Sequence, residues 1–268
     1  MKRYRLHAEN PMREVAAMQL IGNSNPHVMG TIETLFTDDA SGSNLNVVMP
    51  YAGSGDLFQR FQESQVLGHG FPETEARYWF RQMMDGVSFL HGKGICHRDL
   101  SPENVMIDDD NSLIIDMGMA IRVPYNDPNN NEVTDIINGT EKRLIAPQGT
   151  VGKLPYMSPE IYHNTLFDGG AVDIWTMGTI LFRMVSGTGS YGEPHETDVQ
   201  FRWMTRNLAG LLNEWGIQLS DECIDLLKNM LQVDPRLRFT LDEISGHPWL
   251  AHNDTVPASV ARERAERM

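Results

Sequence analysis

Residues 96–118 read CHRDLSPENVMIDDDNSLIIDMG. His97, Arg98 and Asp99 stand together at its start, Asn104 follows, and Asp116 closes it before Met117 and Gly118. Between Asn104 and Asp116, two short apolar runs, VMI and LII, flank an Asp-Asp-Asp-Asn turn. Apolar runs around such a turn predict a β-hairpin. A hairpin brings its two ends together, so it sets Asn104 close to Asp116.

Upstream, ETEARYWFRQMMDGVSFLHGKG begins at Glu73 and carries Ala76, Phe80, Met83 or Met84, Val87 and Leu90 at helical spacing. This predicts a long buried helix that stops at Gly92 or Gly94. DLFQRFQE reads as a short helix and PYAGSG as a connector. Residues 31–37 and 44–49 predict two strands around the loop DDASGS. PMREVAAMQLI, residues 11–21, predicts a short helix with Val15, Met18 and Leu20 or Ile21 on one side, and Pro11 suits its first turn. Downstream, residues 119–157 show little periodicity, and the run NDPNNNE is expected to be a mobile loop. Helical patterns dominate from Ser158 to about residue 250, and the polar tail 251–268 reads as a loose helix. There is no internal repeat.

The order is a small strand-rich region, a connector and a larger helical region. It predicts an α+β, bilobal domain over residues 1–250. The small lobe covers residues 1–49, the hinge 50–55 and the large lobe 56–250. The hairpin falls where the two lobes face each other, and a cleft between lobes is a common place for a site.

With 268 residues and 41% hydrophobic content, the chain can bury a substantial core. The formal charge of −14 argues against a nucleic-acid binder and weakly favours basic partners. Two distant cysteines, Cys96 and Cys223, form no disulfide framework and point to a reducing interior. No apolar run approaches the ~20 residues of a membrane helix, and MKRYRLHAENPMRE has no apolar run to make it a secretory signal. The expectation is an intracellular, cytoplasmic monomer. The sixteen methionines read as adaptable core filling.

Phosphoryl transfer needs a carboxylate for the nucleophile's proton, hard oxygen donors for Mg²⁺, and a fixed geometry. Asp99 suits the first requirement, and Asn104 with Asp116 the second. At these residues the chain resembles the eukaryotic protein kinase family. HRDLSPEN resembles its catalytic loop, DMG stands where it carries DFG, and SPE (158–160) resembles its APE motif. VDIWTMG (172–178) resembles the helix whose Asp, here Asp173, anchors the catalytic loop. DPRLRFT (234–240) resembles the segment whose Arg, here Arg238, pairs with the APE Glu, here Glu160. VVMPYAGSGDLF resembles the strand and hinge that hold adenine, with Met49 as gatekeeper, Pro50 and Ala52 in the hinge, and Asp56 near the ribose. HPWL (247–250) resembles the closing segment. One tripeptide is a weak signal; a series of such motifs in order is a strong one.

The resemblance spans residues 11–250. It implies ATP and Mg²⁺, and transfer of the γ-phosphate to a protein Ser or Thr hydroxyl. It makes Asp99 the base and Asn104 and Asp116 the metal ligands. Glu14 becomes the small-lobe helix Glu, and Lys2 the one candidate for its strand lysine. Plainer roles stand beside these: a turn for Asp116, packing for His97, a solvated turn for 108–110, a surface helix for Glu14 and a terminal charge for Lys2.

The chain departs from the family in three places. No G-x-G-x-x-G precedes Glu14, which leaves two expectations: a fragment or truncated gene model of a full kinase, or a pseudokinase scaffold that binds ATP weakly or not at all. Ser101 stands where Ser/Thr kinases carry a lysine, and Gly152-Lys153 where the family carries Gly-Thr before APE. Gly149-Thr150 offers an alternative pairing. Under the first pairing, cation and hydroxyl have exchanged places beside Asp99. Third, Met117 replaces Phe, with similar bulk and flexible packing.

In the family, an Arg placed like Arg98 often pairs with a phosphorylated residue downstream. Thr134, Thr140, Thr150 and Tyr125 are the candidates, with Thr140 and Thr150 first because they flank Lys142-Arg143. A tolerated loop at NDPNNNEVTD is the alternative.

Overall fold

The computed structural model describes residues 2–5, 11–39, 42–66, 69–123, 134–137 and 140–254. Tyr125, the run 126–132 and the tail from 255 lie outside them, as do the side chains of Thr134 and Thr140.

A three-stranded antiparallel sheet and one helix make the small lobe. Strand β1 (Lys2–Arg5) pairs with β3 (Gly42–Val48), which pairs in turn with β2 (Glu33–Asp39); helix α1 (Met12–Ile21) lies between β1 and β2 in the chain. β2 and β3 extend further into DDASGS than its polar composition predicts. They leave residues 40–41 between the paired Asp39 and Gly42. Cross-strand pairing overrides loop composition here, as strand propensity depends heavily on context.

In α1, Met18 and Ile21 are buried as their spacing predicts, Val15 is half-buried against the core and Leu20 is exposed; Ala17 is buried too. The same face buries a charge, Glu14, at 3% exposure. Leu45 and Val47 of β3 join α1 in the main core.

The large lobe is helical. It contains α2 (Leu57–Val66), α3 (Glu73–Gly92), α4 (Pro159–Tyr162), α5 (Gly169–Ser186), α6 (Val199–Arg206), α7 (Leu208–Glu214), α8 (Asp221–Met230), α9 (Leu241–Ser245) and α10 (Pro248–Ala251). α3 buries Ala76, Phe80, Met83, Val87 and Leu90, the residues its periodicity selects, and Gly94 (φ +69°) turns the chain just past its end. α5 is buried nearly all round, as a central helix must be. Asp168 caps it by accepting from Gly170 N at 2.9 Å, and Gly187 (φ +69°) ends it in the left-handed region. No helix among the described residues is long and apolar enough to cross a membrane.

Short strands line the junction. β4 (Ile95–Cys96) pairs with β7 (Ile121–Arg122), and between them lies the predicted hairpin of β5 (Val105–Asp108) and β6 (Asn111–Ile114). A further hairpin, β8 (Thr134–Ile137) with β9 (Thr140–Arg143), falls in the stretch whose sequence shows little periodicity. The hinge is stapled to the central hairpin: Ser54 N donates to Ile107 O and Ile107 N to Gly55 O. Cys96 and Cys223 are free and buried.

Candidate active site

Asp173 organises the catalytic stretch from below. It projects from α5 and is fully buried. Its Oδ2 accepts from His97 N at 2.9 Å and its Oδ1 from Arg98 N at 2.8 Å. His91, in the last turn of α3, places Nε2 2.8 Å from the same carboxylate. Burial pushes the Asp173 carboxyl up, but these hydrogen bonds outweigh it and hold the group below its ordinary value. His91 is a positioning residue that the motifs do not mark. Its only signal in the sequence is a histidine ending a buried helix.

His97 is fully buried and works on the backbone. Asp99 N donates to its Nδ1 at 3.2 Å, and its Nε2 lies 2.9 Å from Ile115 O. That network assigns the proton to Nε2. Cys96 lies near His91 and Asp173, with donor atoms within 4.8 Å of one another. Asp173 is already committed to the loop, and burial pushes the Cys96 thiol well up, so we read this trio as an anchor.

Two residues adopt positive φ at the site, Arg98 and Asp116, both at 66°. Such backbone is uncommon outside glycine, and it persists where surrounding contacts over-determine it. Between them, Asn104 Nδ2 donates to Asp99 O at 2.7 Å. Asn104 O accepts from Ile115 N at 2.9 Å, which ties the catalytic stretch to the residue before Asp116. The hairpin therefore brings Asn104 and Asp116 together, as predicted. Asp99 Oδ1 is buried and has no hydrogen-bond partner among the described residues. Burial pushes the Asp99 carboxyl up, with His97 and Lys153 pulling against it.

Lys2 bridges the lobes. Its Nζ lies 2.9 Å from Glu14 Oε2 and 2.8 Å from Asp116 Oδ1. Gly118 N also donates to Asp116 Oδ1, at 3.1 Å. Lys2 and Glu14 both shift upward, for different reasons. Glu14 is buried more deeply, and lost hydration outweighs the pull of Lys2. Burial pushes Lys2 down, but Asp116 and Glu14 together outweigh it. Burial also pushes Asp116 up, and Lys2 overrides it to hold the carboxyl low.

At the hinge, Met49 is half-buried, Pro50 exposed and Ala52 buried. Asp56 accepts from Gln59 N at 2.8 Å and so opens α2. Met117 is buried in the main core, the packing expected of a Phe replacement. Glu160 and Arg238 form a buried bidentate pair at 2.8 and 3.2 Å. Lys153 Nζ donates to Ser101 Oγ at 3.1 Å and lies 3.0 Å from Glu103. Asn104 and Asp116 carry hard oxygens on residues that the hairpin draws together. That donor set fits Mg²⁺, which takes one or two protein oxygens plus phosphate and water.

Residues 2–250 match the family described as protein kinase domain. The chain belongs to that family. It is 29% identical over 257 residues to serine/threonine-protein kinase SAPK9 of Oryza sativa subsp. japonica, covering 94% of this chain and 63% of that protein. It is 30% identical to serine/threonine-protein kinase SAPK2 of Oryza sativa subsp. indica, over 91% of this chain and 65% of that protein. Serine/threonine-protein kinase chk1 of Schizosaccharomyces pombe is 32% identical over 206 residues, 76% of this chain and 37% of its own length. The chain thus spans a little under two thirds of the rice relatives.

Proposed function

We propose that the chain is a protein serine/threonine kinase that transfers the γ-phosphate of ATP to a Ser or Thr hydroxyl of a protein substrate. The bridge from Lys2 to Glu14 and Asp116 carries this reading.

In this reading Met49, Pro50 and Ala52 line the adenine side and Asp56 lies toward the ribose. Lys2, steadied by Glu14, engages the ATP phosphates. Asn104 and Asp116 hold Mg²⁺, which when bound neutralises charge on the phosphate oxygens. Asp99 accepts the proton of the incoming hydroxyl. A carboxyl raised by burial is the better base near neutral pH.

Arg98 supports a regulatory reading of the same site. Its side chain is buried, stacks on Phe167 at 5.2 Å, and leaves Nε and Nη2 without partners. A buried guanidinium with free donors suits an anion, and phosphorylation supplies one. Thr150 is exposed among the downstream candidates. We read the protein as a cytoplasmic monomer that acts on protein substrates and binds neither nucleic acid nor membrane; the charge of −14 supports the exclusion of nucleic acid. The catalytic reading outweighs the scaffold alternative because a scaffold does not require a lysine shared between two carboxylates.

The test is calorimetric titration with Mg·ATP followed by transfer of labelled γ-phosphate to a Ser/Thr peptide library. Asp116→Asn should abolish binding, and Asp99→Asn should bind but not transfer. Transfer that survives Asp99→Asn would overturn the assignment.

A further inference from the structure

Lys153 does not belong to the catalytic stretch, yet it is built into it. Gly152 has φ +91°, a conformation that suits glycine. A side chain there would start 3.2 Å from Arg98 O and 3.5 Å from Asp99 Oδ1. Glycine thus allows this backbone to lie directly against the base, and it delivers Lys153 beside it. The backbone beyond is fixed. Tyr156 N donates to Lys153 O at 2.9 Å, Thr176 Oγ1 of α5 donates to Tyr156 O at 3.1 Å, and Arg183 Nη1 donates to Tyr156 OH at 2.8 Å.

The ammonium has two partners. Ser101 is fully buried, two residues beyond the base, and its hydroxyl accepts from Lys153 Nζ at 3.1 Å. Glu103 Oε1 lies 3.0 Å away on the other side. Burial pushes the Glu103 carboxyl up, and Lys153 overrides it to hold the group low. The Lys153 side chain remains 42% exposed, so it is held but still accessible.

We propose that Lys153 is the cation that neutralises the transferring phosphoryl group beside Asp99, with Ser101 and Glu103 as its positioning residues. The inference rests on the kinase reading above. In the step, the substrate hydroxyl gives its proton to Asp99 and its oxygen bonds to the γ-phosphorus. The bond from that phosphorus to the ADP oxygen breaks, and ADP leaves with the electron pair. Charge spreads over the three phosphoryl oxygens, where Lys153 meets it. A preorganised cation at developing charge is a large electrostatic contribution in a site that excludes water.

Base and cation sit on different segments, joined by the Ser101–Lys153 hydrogen bond and the close approach at Gly152.

Two measurements test the proposal. The first uses the γ-acyl-phosphate of ATP with Mg²⁺. An amine near the γ-phosphate attacks the acyl carbon, keeps the acyl group as an amide and releases ATP. Lys153 should be acylated, with protection by excess ATP; acylation of Lys2 alone overturns the proposal. This readout does not require turnover, so an acylated Lys153 in a chain that transfers no phosphate places the failure with the kinase reading. The second is steady-state kinetics. Lys153→Ala should lower kcat by about 10²–10³-fold with little change in KM for ATP. Moving the amine back, in Ser101→Lys with Lys153→Ser, should recover much of that loss. Unchanged kcat in Lys153→Ala overturns the proposal, as does a double variant no better than Lys153→Ala.

Discussion

Lys2, on the first strand, reaches Asp116, the last carboxylate of the catalytic stretch, at 2.8 Å. This contact and the one to Glu14 join the sheet, the small-lobe helix and the central hairpin through a single ammonium. An amine that carries such a network is not conservatively replaced by an apolar chain of similar length. Lys2→Met should reduce kcat/KM about 10²–10³-fold, the range for removing one preorganised charge or donor. Its thermal midpoint should fall as well, because Glu14, buried at 3% exposure, loses its cation. Adding Glu14→Gln to Lys2→Met should regain stability but not activity; activity regained in that double variant would make Lys2 a structural residue.

The pH profile of turnover should report Asp99. As the proposed base Asp99 acts deprotonated, and burial raises its affinity for the proton. Activity should therefore be lost on acidification at a pH above the ordinary Asp value of about 3.9. Lys153→Ala removes a charge that opposes the shift, so the acid limb of its residual activity should move further up. A limb that stays in place would show that Lys153 does not act on Asp99.

The sequence made the floor of this site readable and left its sides obscure. The hairpin, the long helix and the Asp99–Asn104–Asp116 order follow from local patterns that short-range contacts then satisfy. The Glu160–Arg238 pair was legible through the resemblance alone, because the two residues are 78 positions apart. His91 was not legible: its bond to Asp173 depends on how α3 crosses α5, which no local pattern records. The hairpin of β8 and β9 was missed for a related reason. Its residues, TDII and TEKR, alternate too weakly to signal a strand, and pairing decides them. Glu14 shows the reverse case: helical spacing gave the buried face but not the reason an acid belongs on it.

Asp173 should give the folded state a measurable acid dependence. Its carboxyl is held below the ordinary value, so its ionised form stabilises the fold. The sign follows: the contribution is complete above the unfolded value, about 3.9, and is lost as pH falls through the lower folded value. Asp173→Asn should be less stable than the parent between about pH 5 and 7 by a constant margin, and the gap should narrow below about pH 4. Chemical denaturation of both proteins across that range checks it. A margin independent of pH down to the acid transition would show that the side chain's shape, not its charge, anchors the loop.

Glu160 and Arg238 close the large lobe. Both are almost fully buried, and Arg238 Nη1 also donates to Ala171 O at 2.6 Å while Nε and Nη2 donate to Gln232 O. Arg238 additionally stacks over Trp175, 5.0 Å from its centroid. Breaking a buried pair by removing one partner leaves the other charge without compensation, which costs about 3–5 kcal/mol. Glu160→Ala should lose stability on that scale, and so should Arg238→Ala. The double variant should lose clearly less than the sum, since neither charge is then stranded. Arg238→Met tests the balance further. It keeps apolar contact with Trp175 but strands Glu160, so it should remain nearly as destabilised as Arg238→Ala. If Arg238→Met recovers most of the parent stability in urea, packing on Trp175 rather than the ion pair holds this corner together.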